Sequence, residues 1–332
     1  MTTYRPVLSE HSGDWHVEKF AEFDRLKAQL GEPTPHMNIV RWMSSDADDS
    51  ERLWRAGAYA AGYSVLTAEA IWREWPVERA TSDLAGLEDW IFDNWQGIHT
   101  RTPRRAVRTP DKFFRCLASY IDWMQAEPLL HDRYGYDAPY DEWWASANKI
   151  DFMGRYIVIR LLELLRRWDF MSAELYDIRA MEAESPIRCL TLLVPERAGP
   201  LLAGDTKVAD EMADLILRVA SSDRSYFRFA ALLCEYRKSY ENQGDYPGNQ
   251  TDEELGYTFS RYATWWSERG HETQLFAARR ALVPEQARGE NHGWVGQRKL
   301  AGSALREHGV NWTDMRYDWA ASEAAGRPKE WT

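Results

Sequence analysis

The residues of this chain that could do chemistry are carboxylates, guanidiniums and phenols. Asp151, Asp177, Asp252 and Glu253 are the candidate acids; Arg155, Arg179, Arg188, Lys238 and Arg261 are the candidate cations. An arginine holds a phosphate or a carboxylate through two parallel hydrogen bonds. A carboxylate beside it can take a proton from an amine or from water. For any one of these residues the competing role is a structural salt bridge or a solvated charge. Other chemistries lack their signatures. No GxGxxG, Walker A, HExxH or GxSxG pattern occurs, the eight histidines are scattered, and Cys116, Cys189 and Cys234 have no paired spacing. No metal site and no cofactor is expected.

A second concentration of chemistry lies in residues 101–115, RTPRRAVRTPDKFFR, with six basic residues and one acid. Arg101, Arg104, Arg105, Arg108 and Lys112 form an island of positive charge in a chain of formal charge -11. Thr109, Pro110 and Asp111 are a cap, a first-turn proline and a first-turn acid, so the island feeds a helix start. Free N–H groups beside arginines suit a phosphate. A solvated loop paired to the acidic surface accounts for the same residues, and both readings stand at this point.

These side chains need a scaffold. With 332 residues, 44% of them hydrophobic and 13% aromatic, the chain can bury a sizeable core. Its 17 tryptophans fill space in such a core or stack on flat partners such as sugars and nucleobases. The acidic balance argues against non-specific nucleic-acid binding but leaves room for a local basic contact. The start of the chain has no apolar signal region, and no apolar run approaches the length of a membrane span. A soluble, cytoplasmic protein without membrane association is expected.

The periodicity is helical nearly throughout. Helices are expected over residues 15–30, 46–75, 83–97, 109–125, 150–168, 205–221 and 222–241. Another follows the capping box at Thr251 to Glu254. Gly57 and Gly62 fall inside the second of these, where they mark close helix packing or the approach of a ligand to the backbone. Residues 131–146 read as an aromatic loop or lid. The helix over 150–168 is the most apolar. Met153, Ile157, Leu161, Leu164 and Trp168 share one side, and Arg160, Glu163 and Arg167 form a polar stripe. On it, Asp151 and Arg155 are spaced to pair. The expected architecture is all-α, one multi-helix domain of about ten helices: an N-terminal extension over 1–36, a helical catalytic domain over 37–284 and a C-terminal extension over 285–332.

Four patterns in succession carry a resemblance: YxxGYSxxTAExIW at 59–72, DFMGRYIxIRLLELL at 151–165, DIRAMEAESPIRCLTLL at 177–193, and EYRKSYENQGDYPGNQTDEELGYTFSRYATWW at 235–266. Over about residues 37–266 the chain resembles the phage-encoded amino acid:DNA transferases, also called α-glutamyl/putrescinyl thymine pyrophosphorylases, which are similar to an all-helical DNA-glycosylase-like superfamily. The resemblance implies DNA and a small amine as substrates, in the host cytoplasm. An amino acid or polyamine would displace (pyro)phosphate from modified 5-hydroxymethyluracil, giving hypermodified thymidine. It further implies that Asp151, Arg155, Tyr156 and Asp252 are catalytic, that Arg179, Lys238 and Arg261 bind substrate, and that Tyr59 and Tyr63 form a stacking wall for a base taken out of the duplex. Arg101, Arg104, Arg105, Arg108 and Lys112 would then grip the DNA backbone. A DNA glycosylase acting on a modified base and a non-enzymatic helical binding protein are the alternatives.

Overall fold

The computed structural model describes residues 5–29, 35–126, 137–175, 184–221, 225–241 and 273–282. Among them the regular structure is helical, α-helices with short 3-10 turns, and no strand occurs. The all-α expectation holds. No described helix is long and apolar enough to cross a membrane. Packing divides the chain into two compact units. One comprises Met1–Pro35, Leu175–Gly256 and Arg280–Thr332; the other comprises His36–Glu174 and Tyr257–Arg279.

The second unit carries most of the candidate site residues. Its centre is the helix Asp49–Gly62, which packs against Val65–Glu74, Pro110–Gln125 and Arg155–Arg167. Asp48 caps its start by accepting from the backbone N–H of Glu51. Small residues on this helix let large neighbours come close. A Cβ at Gly57 would stand 2.0 Å from Cε1 of Tyr120, so this glycine serves packing. Tyr120 donates its hydroxyl to the carbonyl of Leu53 at 2.5 Å. Trp54 donates to the carbonyl of Trp75 at 2.6 Å, and Trp54, Trp75 and Trp143 are fully buried. These three tryptophans fill core space.

Two expected helices differ in extent. The segment over 46–75 is two helices, because Tyr63 takes a left-handed conformation (φ 52°) and Ser64 caps the second by accepting from the N–H of Thr67. The helix expected over 150–168 runs only over Arg155–Arg167, since Phe152 is also left-handed (φ 60°) and Gly154 is the extended N-cap. Residues 140–147, expected in a loop, are a helix, Tyr140–Ala147. The capping box at Thr251 and the segment from 285 lie outside the described residues.

Glu69 fastens the later part of this unit to the earlier. Its carboxylate is buried and accepts from the backbone N–H of Gln274 at 2.8 Å and from the Thr273 hydroxyl, while Arg73 pairs with it at 2.7 Å. Burial raises its pKa, and these donors oppose the rise.

The first unit is a layer of helices around Phe20, Phe23, Leu190, Leu193, Leu232 and Tyr236. The helix Gly13–Gln29 packs here against Glu184–Leu193, Thr206–Ala220 and Tyr226–Tyr240. The N-terminal segment, expected as an extension, is therefore part of a core. Lys27 meets Glu235 at 2.6 Å and Arg228 pairs with Asp24, all four side chains being buried. His16 is fully enclosed, with Nδ1 3.0 Å from the Tyr236 hydroxyl and Nε2 2.7 Å from the Ser9 hydroxyl. Desolvation, with His11 nearby, lowers its pKa from 6.5 to about 4. The folded state thus refuses a proton that the unfolded chain accepts, so stability should fall as the pH drops from 6.5 toward 4. Urea midpoints at pH 7 and pH 5 should differ in the native protein, and the difference should shrink in His16→Gln.

Candidate functional site

Arg104 organises the turns from which the site tyrosines project. It belongs to the short 3-10 segment Thr102–Val107, yet its side chain points inward and is 1% exposed. Nε donates to the carbonyl of Ala61 at 2.6 Å, Nη1 to the carbonyl of Phe152 at 2.8 Å, and Nη2 to Cys116 Sγ at 3.2 Å. Ala61 is in the last turn of its helix, where carbonyls lack helical partners and a cation is favoured. Phe152 is the left-handed residue before the next helix. One guanidinium thus holds two left-handed turns, next to Tyr63 and at Phe152. Burial pulls the Arg104 pKa down, with Cys116 opposing, and pushes the Cys116 thiol up to about 11. Arginine stays charged at neutral pH even so. The expectation that Arg104 grips a phosphate is corrected: the interior engages its guanidinium.

The tyrosines converge. The Tyr63 hydroxyl lies 2.9 Å from that of Tyr156 and 3.3 Å from Nε2 of His36. Tyr59 is tilted against Tyr63, with ring centroids 5.6 Å apart, and His36 sits 5.7 Å from the Tyr59 ring. Burial raises the Tyr63 pKa well above its ordinary value, Tyr156 and Tyr59 add to this, and Arg160 opposes it. Tyr63 is therefore a neutral phenol. Tyr59, Tyr63 and His36 are buried, and Tyr156 is half-buried. Tyr59 and Tyr63 are 1% and 3% exposed, so the expectation that they form a stacking wall for a base is corrected, and Tyr156 is the ring of this cluster that reaches outward. His36 had no signal in the sequence beyond being a histidine.

Beneath Tyr156 lies a network that the sequence suggested only as a polar stripe. Arg160 is 5.2 Å from the Tyr156 ring centroid and donates to Glu163 at 2.5 Å. Arg167 donates to the other oxygen of Glu163 at 2.5 Å and to Asn38 at 3.0 Å. Arg160 and Glu163 are buried within the most apolar helix. Buried charges need partners of this kind, since isolated ones are costly.

The outer edge of the site is charged. Asp151 is half exposed and pairs with Arg115 at 3.5 Å, and Arg115 also lies 5.0 Å from the Phe152 ring. The expected pairing of Asp151 with Arg155 required a helix through both, whereas the chain turns at Phe152 and the helix starts at Arg155. Arg155 is exposed in that first turn. Arg101 is partly exposed, donates its backbone N–H to the carbonyl of Gly62 at 3.1 Å and lies 5.8 Å from the Tyr63 ring. Arg105, Arg108 and Lys112 are exposed. Lys238 and Arg188 belong to the first unit, where Arg188 meets Glu241 at 2.7 Å. Asp252, Arg179 and Arg261 lie outside the described residues, as do Asp177 and Glu253.

Replacing Arg104 tests its place in this arrangement. Arg104→Met keeps bulk but removes three donated hydrogen bonds from buried acceptors. A loss of about 3 kcal/mol in denaturant unfolding is expected, since bonds from charged donors contribute about 1.5–3 kcal/mol. DNA affinity measured on the folded variant should change little in its salt dependence, because the removed charge is internal.

The comparisons with known proteins bear on what this site serves. No curated protein and no solved structure matches the chain. A family model described as amino acid:DNA transferase matches residues 60–246, a span that includes Tyr63, Glu69, the basic segment, Asp151 to Arg167 and Lys238. With more than half of its length matched, the chain belongs to the amino acid:DNA transferase family, a family of enzymes.

Proposed function

We propose that this enzyme joins the amine of an amino acid or polyamine to the 5-methylene group of (pyro)phosphorylated 5-hydroxymethyluracil in DNA, releasing (pyro)phosphate. The observation that carries this reading is how the basic segment is fastened to the tyrosine-bearing turn. Arg104 holds the carbonyl of Phe152 and Arg115 reaches the Asp151 carboxylate. The exposed Arg105, Arg108 and Lys112 belong to this same segment. A DNA backbone gripped by these cations would lie at the edge where Asp151, Arg155 and Tyr156 stand.

The chemistry needs what this edge offers. A departing (pyro)phosphate develops negative charge, and Arg155, in the first turn of its helix, can stabilise it. The helix N-terminus adds its partial positive charge. The attacking amine must lose a proton, for which Asp151 is an accessible carboxylate. A base out of the stack needs an aromatic face, which Tyr156 can present. Phosphate contacts by Arg101, Arg105, Arg108 and Lys112 would position the strand without reading its sequence. Asp252 remains a proposed catalytic residue, and Arg179, Lys238 and Arg261 remain proposed substrate-binding residues.

The test is direct. The protein is incubated with DNA carrying phosphorylated or pyrophosphorylated 5-hydroxymethyluracil and with amino acids and polyamines, and the nucleosides are analysed by mass spectrometry. A nucleoside heavier by the added amine is expected. No such product with any natural amine removes the reading, and abasic sites in its place establish a glycosylase. Asp151→Asn and Arg155→Ala should each lower turnover by about 10²-fold or more; full activity would remove those two from the site.

The backbone grip has its own readout. Arg105→Ala, Arg108→Ala and Lys112→Ala combined should weaken DNA binding. The dependence of log K on log salt should flatten by about 0.9 for each duplex phosphate that is no longer neutralised. An unchanged slope leaves the segment a solvated loop.

A further inference from the structure

Tyr63 and His36, buried behind Tyr156, have no role in the chemistry proposed for the outer edge. We infer that His36, Tyr63 and Tyr156 form a proton relay that ends with a proton on His36 Nε2 and discharges the proton that the amine nitrogen sheds after attack. The inference rests on the proposed transferase reaction. Tyr156 is the outward member, half-buried beside Arg155, and it is the end of the chain nearest the exposed edge. Its hydroxyl is 2.9 Å from that of Tyr63, which is 3.3 Å from His36 Nε2. Each separation allows a hydrogen bond, so three groups far apart in sequence make one continuous path inward.

The step balances as follows. The amine nitrogen forms a bond to the 5-methylene carbon as the bond from that carbon to the (pyro)phosphate oxygen breaks, and its electron pair leaves on oxygen. The nitrogen then carries one proton too many. That proton passes to Tyr156 Oη while the Tyr156 proton passes to Tyr63 Oη and the Tyr63 proton passes to His36 Nε2. The products are the neutral secondary amine, the released anion and an imidazolium. Both tyrosines end as they began, and no tyrosinate accumulates. A phenol held neutral by burial fits a relay member and not a base. The groups facing the path are Tyr59 and Tyr63 from the helix Asp49–Gly62 and its cap, Arg101 against the Tyr63 ring, and Arg160 beneath Tyr156. Glu163 binds Arg167, which reaches Asn38, two residues from His36. Asp151 is the exposed carboxylate at the same edge. It takes the proton that the ammonium form of the amine sheds before attack, and the relay takes the one that the nitrogen sheds after it.

Two measurements decide the relay. In the first, Tyr63→Phe keeps the ring and removes the link. If wild-type protein turns over modified DNA, this variant should lose about 10²-fold or more in kcat with KM little changed. The acid limb of its pH profile, where protonated His36 can accept no proton, should vanish. Tyr63→Phe with wild-type kcat and an intact acid limb overturns the relay. In the second, the His36 imidazole is titrated by NMR in wild type, Tyr63→Phe and Tyr156→Phe. The His36 titration should move in both variants, because each changes the chain bonded to Nε2. A titration unchanged in Tyr156→Phe overturns the path even if the enzyme is active. If wild-type protein yields no product, the transferase reading fails, and the NMR titration still judges the hydrogen-bonded path on its own.

Discussion

A single buried guanidinium sets the geometry on which the candidate site depends. Arg104 binds the carbonyls of Ala61 and Phe152 from between them, and each carbonyl belongs to a turn that includes or adjoins a left-handed residue. Left-handed conformations cost about 1–3 kcal/mol in side chains as large as Tyr and Phe, and they persist only where the surroundings over-determine them. The strain has a use. At Tyr63 the turn ends one helix and aims the phenol at His36 and Tyr156. At Phe152 it turns the chain so that Asp151 stays at the surface while Tyr156 enters the next helix. A lysine could not replace Arg104, because a compact ammonium lacks the planar fork that spans two carbonyls and a thiol.

The basic stretch of this acidic protein works in two directions. Arg105, Arg108 and Lys112 face solvent, whereas Arg104 faces the core and Arg115 shares itself between Asp151 and the Phe152 ring. Arg104 and Arg105 point apart because successive side chains of a 3-10 segment stand about 120° from one another. Whatever the outer cations bind is therefore mechanically linked to the turn that bears Asp151 and Tyr156. The same economy of position appears in the helix Arg155–Arg167. Its apolar residues surround a carboxylate held by two arginines, so charge crosses an otherwise apolar region without being left alone.

Much of this was legible in the residues. The apolar period over Ile157 to Leu165 marked a buried helix, and the i,i+3 and i,i+4 spacing of Arg160, Glu163 and Arg167 marked side chains able to meet. What could not be read was direction. Arg104 and Arg105 are neighbours of one type, and only the tertiary structure decides which enters the core. The break after Gly62 was hidden for a related reason: the left-handed position is held by a tyrosine, where sequence patterns look for glycine or asparagine. Asp151 and Arg155 had the right spacing for a helical pair, but the helix begins after Asp151. His36 is isolated in the sequence, its partner Tyr63 lies 27 residues on, and no spacing rule could have joined them.

The carboxylate of Glu69 places a demand on the order in which the molecule can be completed. Its donors, Thr273 and Gln274, are separated from it by 204 and 205 residues. During synthesis Glu69 leaves the ribosome long before either donor exists, and a carboxylate on a helix otherwise lined by Leu66, Ala70 and Ile71 must wait in water. Neither unit is continuous in sequence, so neither can close while the chain is still short. Contacts of such separation slow folding, because the chain entropy is lost before the contact returns anything. The second unit is thus finished from its later segment, and a truncation before residue 273 would deprive a buried acid of two hydrogen-bond donors and leave it Arg73, rather than trim a dispensable tail.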